Sequence, residues 1–466
     1  MTLRRTRRPV LAAIIIAVSA SVSACSDSLP SLPKVSELNP FKEKETPLPG
    51  RRLAVLPGED TLPGEQAPVA GPIALPEARS NDAWTQPGGE ATNAPGHLAF
   101  GGTRQTAWSA DAGTGSSKTG RVTASPVVYD GKIFTLDADG TVSAFSTSGG
   151  SAVWRTQLKP TANGDKPAPS FSSQILSLGA SDGGGGGYGG GIAIDGGKLF
   201  GTSGYGGVFA LDPSSGKVIW EKNVGVPIRA APTAAGDRVY VITSEGRFLC
   251  LSGVDGTELW ATRGLPQQAS RVMNVSPAVS SDIVVVPYPS GDVVALKVSD
   301  GTAVWSESLT RMRTTSQLTA LSDAASPAID NGMVFAVGHA GRMVATQSAT
   351  GERVWSINLP GTQTPCVAGE NVFVVDTSGQ LMALGRKDGK IQWTTKLPGG
   401  KTFAGPVLAG GSLWLTSNTG QLVGVDAATG QVKGQQDLGD PVFVPPIVAQ
   451  GRMYVLTDEA KLIALN

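Results

Sequence analysis

The strongest constraint on the fold is a unit that repeats along the C-terminal three quarters of the chain. Read from Ser125, the unit runs S-P-V-V-Y-D-G-K-I-F-T-L-D-A-D-G-T-V-S-A-F-S-T-S-G-G-S-A-V-W and ends at Trp154. The same grammar returns from Ala231 to Trp260, Pro277 to Trp305, Pro327 to Trp355 and Pro365 to Trp393. A unit from Gly191 to Trp220 lacks the leading proline, and one from Pro406 has Gly434 where tryptophan is expected. Successive tryptophans stand mostly about 38 to 50 residues apart, the period of propeller blades. The 66-residue step from Trp154 to Trp220 holds an insertion.

Each unit parses as four short strands. Proline suits a strand start, where its missing N–H costs no ladder bond. Turns such as Asp130-Gly131, Asp139-Gly140, Asp255-Gly256, Asp300-Gly301 and Asp388-Gly389 supply the positive φ that tight hairpins need. Runs such as Ile133–Leu136 and Val142–Phe145 lie between them as alternating strands. One four-stranded blade cannot bury its face, so blades must stack about an axis, with the tryptophan ring covering the gap between neighbours. Seven units are complete; an eighth, from Pro446, stops at Asn466 after three strands. The segment around Trp108 is expected to supply the missing strand and close the ring without an open edge. The fold class is therefore all-β: a single eight-bladed β-propeller of four-stranded antiparallel blades over residues 96–466, closed by an N-terminal strand.

Composition agrees. Glycine (61) and proline (32) make up about one residue in five, and charged residues only 16%. Basic and acidic side chains number 38 each, so no one-signed field exists to hold nucleic acid. Two histidines, His97 and His339, and three cysteines cannot build a zinc cluster or a disulfide framework.

The N-terminus reads as an address. Arg4, Arg5, Arg7 and Arg8 precede the apolar run Val10 to Val18, too short to span a bilayer. Val22-Ser23-Ala24-Cys25 resembles a bacterial lipobox, so residues 1–24 are expected to be a lipoprotein signal peptide and Cys25 the lipidated residue. Ser26, where aspartate would favour the inner membrane, implies the periplasmic face of the outer membrane. Losing residues 1–24 removes four arginines and no acids, leaving 34 basic against 38 acidic side chains. Residues 25–95 carry frequent prolines and no sustained periodicity, and are expected to be an extended membrane tether.

Ala210-Leu-Asp212-Pro-Ser-Ser-Gly216-Lys217-Val-Ile-Trp220 resembles the A-x-D-x-x-x-G-K-x-x-W tryptophan-docking motif of quinoprotein-type propellers. Two families share it: the pyrroloquinoline quinone (PQQ) dehydrogenases, and BamB, the lipoprotein family of the outer-membrane β-barrel assembly machine. The dehydrogenase resemblance would imply acidic and amide calcium ligands, a catalytic aspartate and, in many members, adjacent cysteines. Here Cys250 and Cys366 lie three blades apart and read as inert buried thiols. Aspartates fall mainly in turns, and His339 in Val-Gly-His-Ala-Gly reads as a hairpin residue. The Gly-rich stretch from Gly183 to Gly191 leads into a strand, not a helix, so it is no phosphate cradle. No catalytic residue, cofactor or metal is expected, nor a small-molecule substrate.

The BamB resemblance covers residues from about 104 to 466. It implies a non-enzymatic scaffold that docks on BamA and other barrel-assembly subunits and is anchored in the outer membrane by lipid. Two local matches precede the fourth and fifth units: Gln267-Gln-Ala-Ser-Arg271, where the family carries an arginine used for BamA, and Leu321-Ser322-Asp323-Ala-Ala325, similar to L-S-D-x-D. This chain has Ala325 where the second acid stands. Arg271 and Asp323 are expected on adjacent-blade loops, either as a loop-ordering ion pair or as part of the partner surface. Arg311 and Arg313 lie on the same connection as Asp323 and are candidates for partner contact. The alternative implied by the shared motif is a membrane-anchored PQQ-dependent alcohol or sugar dehydrogenase.

Overall fold

A computed structural model describes residues 71–118, 120–158, 189–264, 275–310 and 324–466. Among these, the chain forms eight four-stranded antiparallel sheets, the blades of a propeller. Blades 1 to 7 comprise residues 127–157, 190–223, 233–263, 278–308, 328–357, 366–396 and 403–437, each a simple meander from innermost to outermost strand. Blade 8 takes three strands from residues 447–465 and its outermost strand from Thr106–Asp111. That strand pairs antiparallel with Lys461–Leu465, with Trp108 opposite Ala464 and Asp111 opposite Lys461. The N-terminal strand therefore completes the last blade, as the missing fourth strand requires.

Exposure separates the strands by their place in the blade. The outermost strands alternate between exposed and half-buried positions, as in Ala152–Gln157 and Glu258–Arg263. The middle strands do not alternate: Lys132–Leu136 is buried throughout except at its first residue. Both faces of a middle strand meet a neighbouring blade, so its side chains are apolar or small on both sides. This is why Ile133, Phe134 and Leu136 lie buried together despite pointing to opposite faces. At the first hairpin, Asp130 and Gly131 both take positive φ (48° and 68°), the pairing a two-residue type I′ turn demands. Most leading prolines stand just before the innermost strand. Pro406 differs: it lies within Phe403–Ala409, at a register irregularity where no ladder bond is lost.

The docking motif works between blades. Asp212 Oδ1 accepts hydrogen bonds from the Ser214 and Ser215 amides (2.8 and 2.9 Å), and Asp212 O accepts one from Gly216 N (2.8 Å). The hydroxyl of Ser214 and the two amides hold the Asp212 carboxyl below its ordinary range. The loop so formed receives Trp154 of the preceding blade, whose Nε1 donates to Pro213 O (3.1 Å). A Cβ at Gly216 would sit 2.4 Å from Trp154 Cε3, so the glycine is needed for space as well as for its φ of 71°. Seven seams repeat this, from Trp108 over Gly150 to Trp393 over Gly430.

One expectation is corrected. Residues 73–98, assigned largely to the membrane tether, cross the axis of the propeller as a strap that contacts every blade. Trp84 exchanges two backbone hydrogen bonds with Val128 of blade 1, and Thr85 O accepts from Ile194 N of blade 2. The Gln86 amide bridges Ile194 O and the Ala234 backbone of blade 3. Ala91 O and Thr92 O accept from Val279 N and Ile329 N of blades 4 and 5. Ala74 O accepts from Asn371 of blade 6, Leu98 pairs with Leu408 and Gly410 of blade 7, and Asn81 with Val448 and Gln450 of blade 8. The physical reason is the free edge of each innermost strand. Eight rows of unpaired N–H and C=O groups converge on the axis, and an extended segment satisfies many of them at once. Proline density does signal an extended chain, but part of that chain is inside the body.

Candidate functional site: the axial cavity and its rim

Among the described residues, the strap leaves a space at one end of the axis. Just ahead of the innermost strands lies a cavity of about 370 Å³, walled by residues such as Ser125, Ser276, Ser326, Thr364 and Thr402, with Phe443 near half exposed at 46%. Its floor is the strap turn at Pro87 and Gly88, closed by Thr85 N to Gly89 O (3.0 Å) and Gly89 N to Gln86 O (2.9 Å). A second space of about 60 Å³ shares Pro87, Gly88, Gln363, Thr364 and Pro445 with it, and is lined further by Trp84, Asn93 and Cys366. Asn93 holds blades 4 and 5 together from below, its Nδ2 donating to Pro327 O at 3.0 Å.

No described lining residue of either space carries a charge. Among the described residues no three of His, Cys, Asp and Glu gather into a metal-holding group. A quinone tricarboxylate with a calcium ion needs acidic ligands for the metal and cations for its carboxylates. The described walls offer hydroxyls, amides and prolines, and so do not fit that pair. Burial pushes the thiols of Cys250 and Cys366 up to about 12, which keeps both protonated and unreactive near neutral pH. His97 is structural: its Nδ1 meets Pro76 O at 2.7 Å and its Nε2 accepts from Gly411 N at 2.9 Å, which ties the strap to blade 7.

Cys25, Arg271, Arg311, Arg313 and Asp323 lie outside the described residues. The described chain resumes after Arg271 at Val275 and after Asp323 at Ala324. These resumption points are adjacent: Ser276 N donates to Ser326 Oγ at 2.8 Å, linking blades 4 and 5 at the cavity wall. Ala325 is fully buried, with its amide on Val337 O (2.9 Å), in a cluster with Ala328, Phe335 and Val337. An acid at that position would be an uncompensated buried charge, so the alanine is a packing residue here. Sequence reasoning missed the cavity, although a signal was present. Ser125-Pro126, Ser276-Pro277, Ser326-Pro327 and Thr364-Pro365 place a hydroxyl just before the inner strands of blades 1, 4, 5 and 6.

The model of the family described as outer membrane protein assembly factor BamB matches residues 94–185, 138–395 and 396–466, nearly the whole propeller. The chain belongs to the BamB family. A BamB-family relative from Shewanella oneidensis, named outer membrane protein assembly factor BamB, is 26% identical over 368 residues, 78% of this chain and 89% of the relative. One of the same name from Nitrosomonas eutropha is 25% identical over 232 residues, half of each chain. Among solved structures, BamB from Moraxella catarrhalis superposes with a TM-score of 0.62 at 18% identity, covering 76% of this chain and 99% of that one. A quinohemoprotein alcohol dehydrogenase from Comamonas testosteroni gives 0.64 at 14% identity, covering 83% of this chain and 81% of that one. At such identities these superpositions speak for the propeller fold alone.

Proposed function

We propose that this protein is a non-enzymatic scaffold subunit of the outer-membrane β-barrel assembly complex. In this reading it is lipid-anchored through Cys25 at the periplasmic face of the outer membrane and docks on the periplasmic domains of BamA. The observation that carries the reading is the BamB family match along the propeller, from residue 94 to the C-terminus. The docking surface comprises the connections ahead of blades 4 and 5, with Arg271, Arg311, Arg313 and Asp323 as contacts. A rigid ring of blades loses little ordering entropy on docking, and a lipid anchor raises its local concentration at the membrane.

Gentle solubilisation and recovery of tagged protein tests this: BamA should co-purify. Arg271→Glu should reduce BamA recovery several-fold while leaving the thermal transition unchanged. Absence of BamA under conditions that retain other lipoprotein partners would sink the reading.

A further inference from the structure

The two partners of His97 admit a single state of its ring. Nδ1 lies 2.7 Å from Pro76 O, and a carbonyl can only accept, so Nδ1 carries the hydrogen. Nε2 lies 2.9 Å from Gly411 N, which can only donate, so Nε2 is bare. The ring is therefore neutral. A second proton would set Nε2–H against the Gly411 N–H at a residue only 9% exposed, a charge buried against a donor.

The ring fastens the least buried part of the strap. Trp84, Gln86, Asn93 and Leu98 anchor the later residues from inside the body. In the arm before them, residues 73–79, only Ile73 and Leu75 are even half-buried. Its other ties are few: Ile73 N donates to Ala428 O (2.9 Å), Asn371 Nδ2 to Ala74 O (2.7 Å), Arg79 N to His97 O (2.9 Å) and Ala99 N to Arg79 O (2.7 Å). A segment with so few buried contacts opens locally while the ring of blades stays folded.

The charged groups of the elements packed here are engaged elsewhere or exposed. Within the strap, Arg79 pairs with Glu90 at 3.0 Å, and Glu77 and Asp82 are exposed. On blade 7, Lys433 pairs with Asp426 at 2.9 Å. On blade 6, whose hairpin at Gly369 touches Pro76, Lys387 pairs with Glu370 at 2.9 Å and Arg386 with Asp330 of blade 5. Among the described residues, no carboxylate is bonded to either ring nitrogen to hold an imidazolium in place.

We propose that His97 is a proton-operated latch. The neutral ring fastens the strap's outer arm, residues 73–79, to blade 7, and uptake of a proton from solution at Nε2 releases that arm while the rest of the strap stays in place. An imidazole in water takes up its proton near pH 6.5. With only the neutral ring fitting the closed arm, opening is favoured up to about 30-fold at pH 5.0 and hardly at all at pH 7.5. The latch is independent of the assembly reading: BamA recovery can succeed or fail without changing it.

Hydrogen exchange of the full chain at pH 7.5 and 5.0, read by mass spectrometry and corrected for the intrinsic effect of pH, tests this. Peptides covering residues 71–80 should lose protection about tenfold or more at the lower pH, while those around Val128, bonded to Trp84, should not. His97→Gln offers an amide nitrogen and oxygen at similar spacing and no titrating group, so its arm should stay protected at both pH values. The chain has two histidines, so ¹⁵N-histidine labelling, with His339→Gln to assign the signals, reads the tautomer; His97 should carry its hydrogen on Nδ1 at pH 7.5. Equal protection of the native arm at both pH values overturns the proposal. So does the same pH response in His97→Gln, or a hydrogen on Nε2 at pH 7.5.

Discussion

Seven seams between blades are closed by a tryptophan, and the eighth, between blades 7 and 8, is not. In the seven, the ring of one blade lies over a glycine of the next and its Nε1 donates to a backbone carbonyl of the same loop. In the eighth, Gly434 stands at the tryptophan position. No loop joins the third and fourth strands there either, because in blade 8 the strand Thr106–Asp111 comes from a distant part of the chain and pairs with Lys461–Leu465. Asn466 O accepts from Arg104 N (2.5 Å), and a Cβ at Gly102 would fall 1.9 Å from the Asn466 carbonyl carbon. Arg104 lies beside Gly434 and over the Trp414 ring (5.7 Å), while Phe100 meets Trp414 edge-on at 5.9 Å. Docking thus depends on a continuous loop. Where the third and fourth strands come from distant parts of the sequence, a cation, two aromatics and a backbone clasp do the work.

The comparison can be broken most strongly at a docked seam. Trp393 is 7% exposed, packs beside Phe373 at 6.0 Å and donates to Ala427 O. Trp393→Ala should cost about 3–5 kcal/mol in urea unfolding monitored by circular dichroism. A smaller loss is expected from Gly301→Ala, where φ is 74° and the new Cβ would lie 2.5 Å from Trp260 Cε3. Backbone strain there is worth about 1–3 kcal/mol in the same measurement. At the undocked seam, Arg104→Ala removes a cation–π contact, so only about 0.5–1 kcal/mol should be lost. An Arg104→Ala cost matching that of Trp393→Ala would show that the eighth seam is no weaker in kind.

Thiol chemistry gives the smallest effect at ordinary pH. Cys250 and Cys366 should resist a thiol reagent at pH 8 until the protein unfolds. Their folded values are raised from about 9 to about 12. The neutral thiols thus favour the fold fully below pH 9, and that contribution fades as pH climbs toward 12. Rapid labelling of native protein would contradict the burial of both groups.

Most of the ring was legible because it is written several times over. Tryptophan spacing, Asp-Gly turns and the leading prolines each repeat, so one damaged copy, such as the unit ending at Gly434, is read from the others. The closing strand at Trp108 was legible by subtraction, since the last blade lacked a fourth strand. The strap was not, because it occurs once and its information lies in distant partners. Gln86 meets Ala234, 148 positions away, and Asn81 meets Val448, 367 positions away. Nothing local in Pro76, Pro87 or Pro95 distinguishes an extended chain in solvent from one bound along strand edges. Burial of Ala325 was hidden for a similar reason: only the register of blade 5 shows that the position faces the interior.

The clasp in blade 8 also fixes an order of events. The strand around Trp108 is made before blades 1 to 7, yet its partner strand, Lys461–Leu465, is made after all seven. A growing chain can form individual meanders as they emerge, but the circle has no final joint until Lys461–Leu465 has emerged. A chain that stops short of Lys461 leaves the strand around Trp108 without its partner and exposes the edge of an unfinished sheet. Closure of the ring therefore requires residues 461–465, and a chain lacking them presents an aggregation-prone edge.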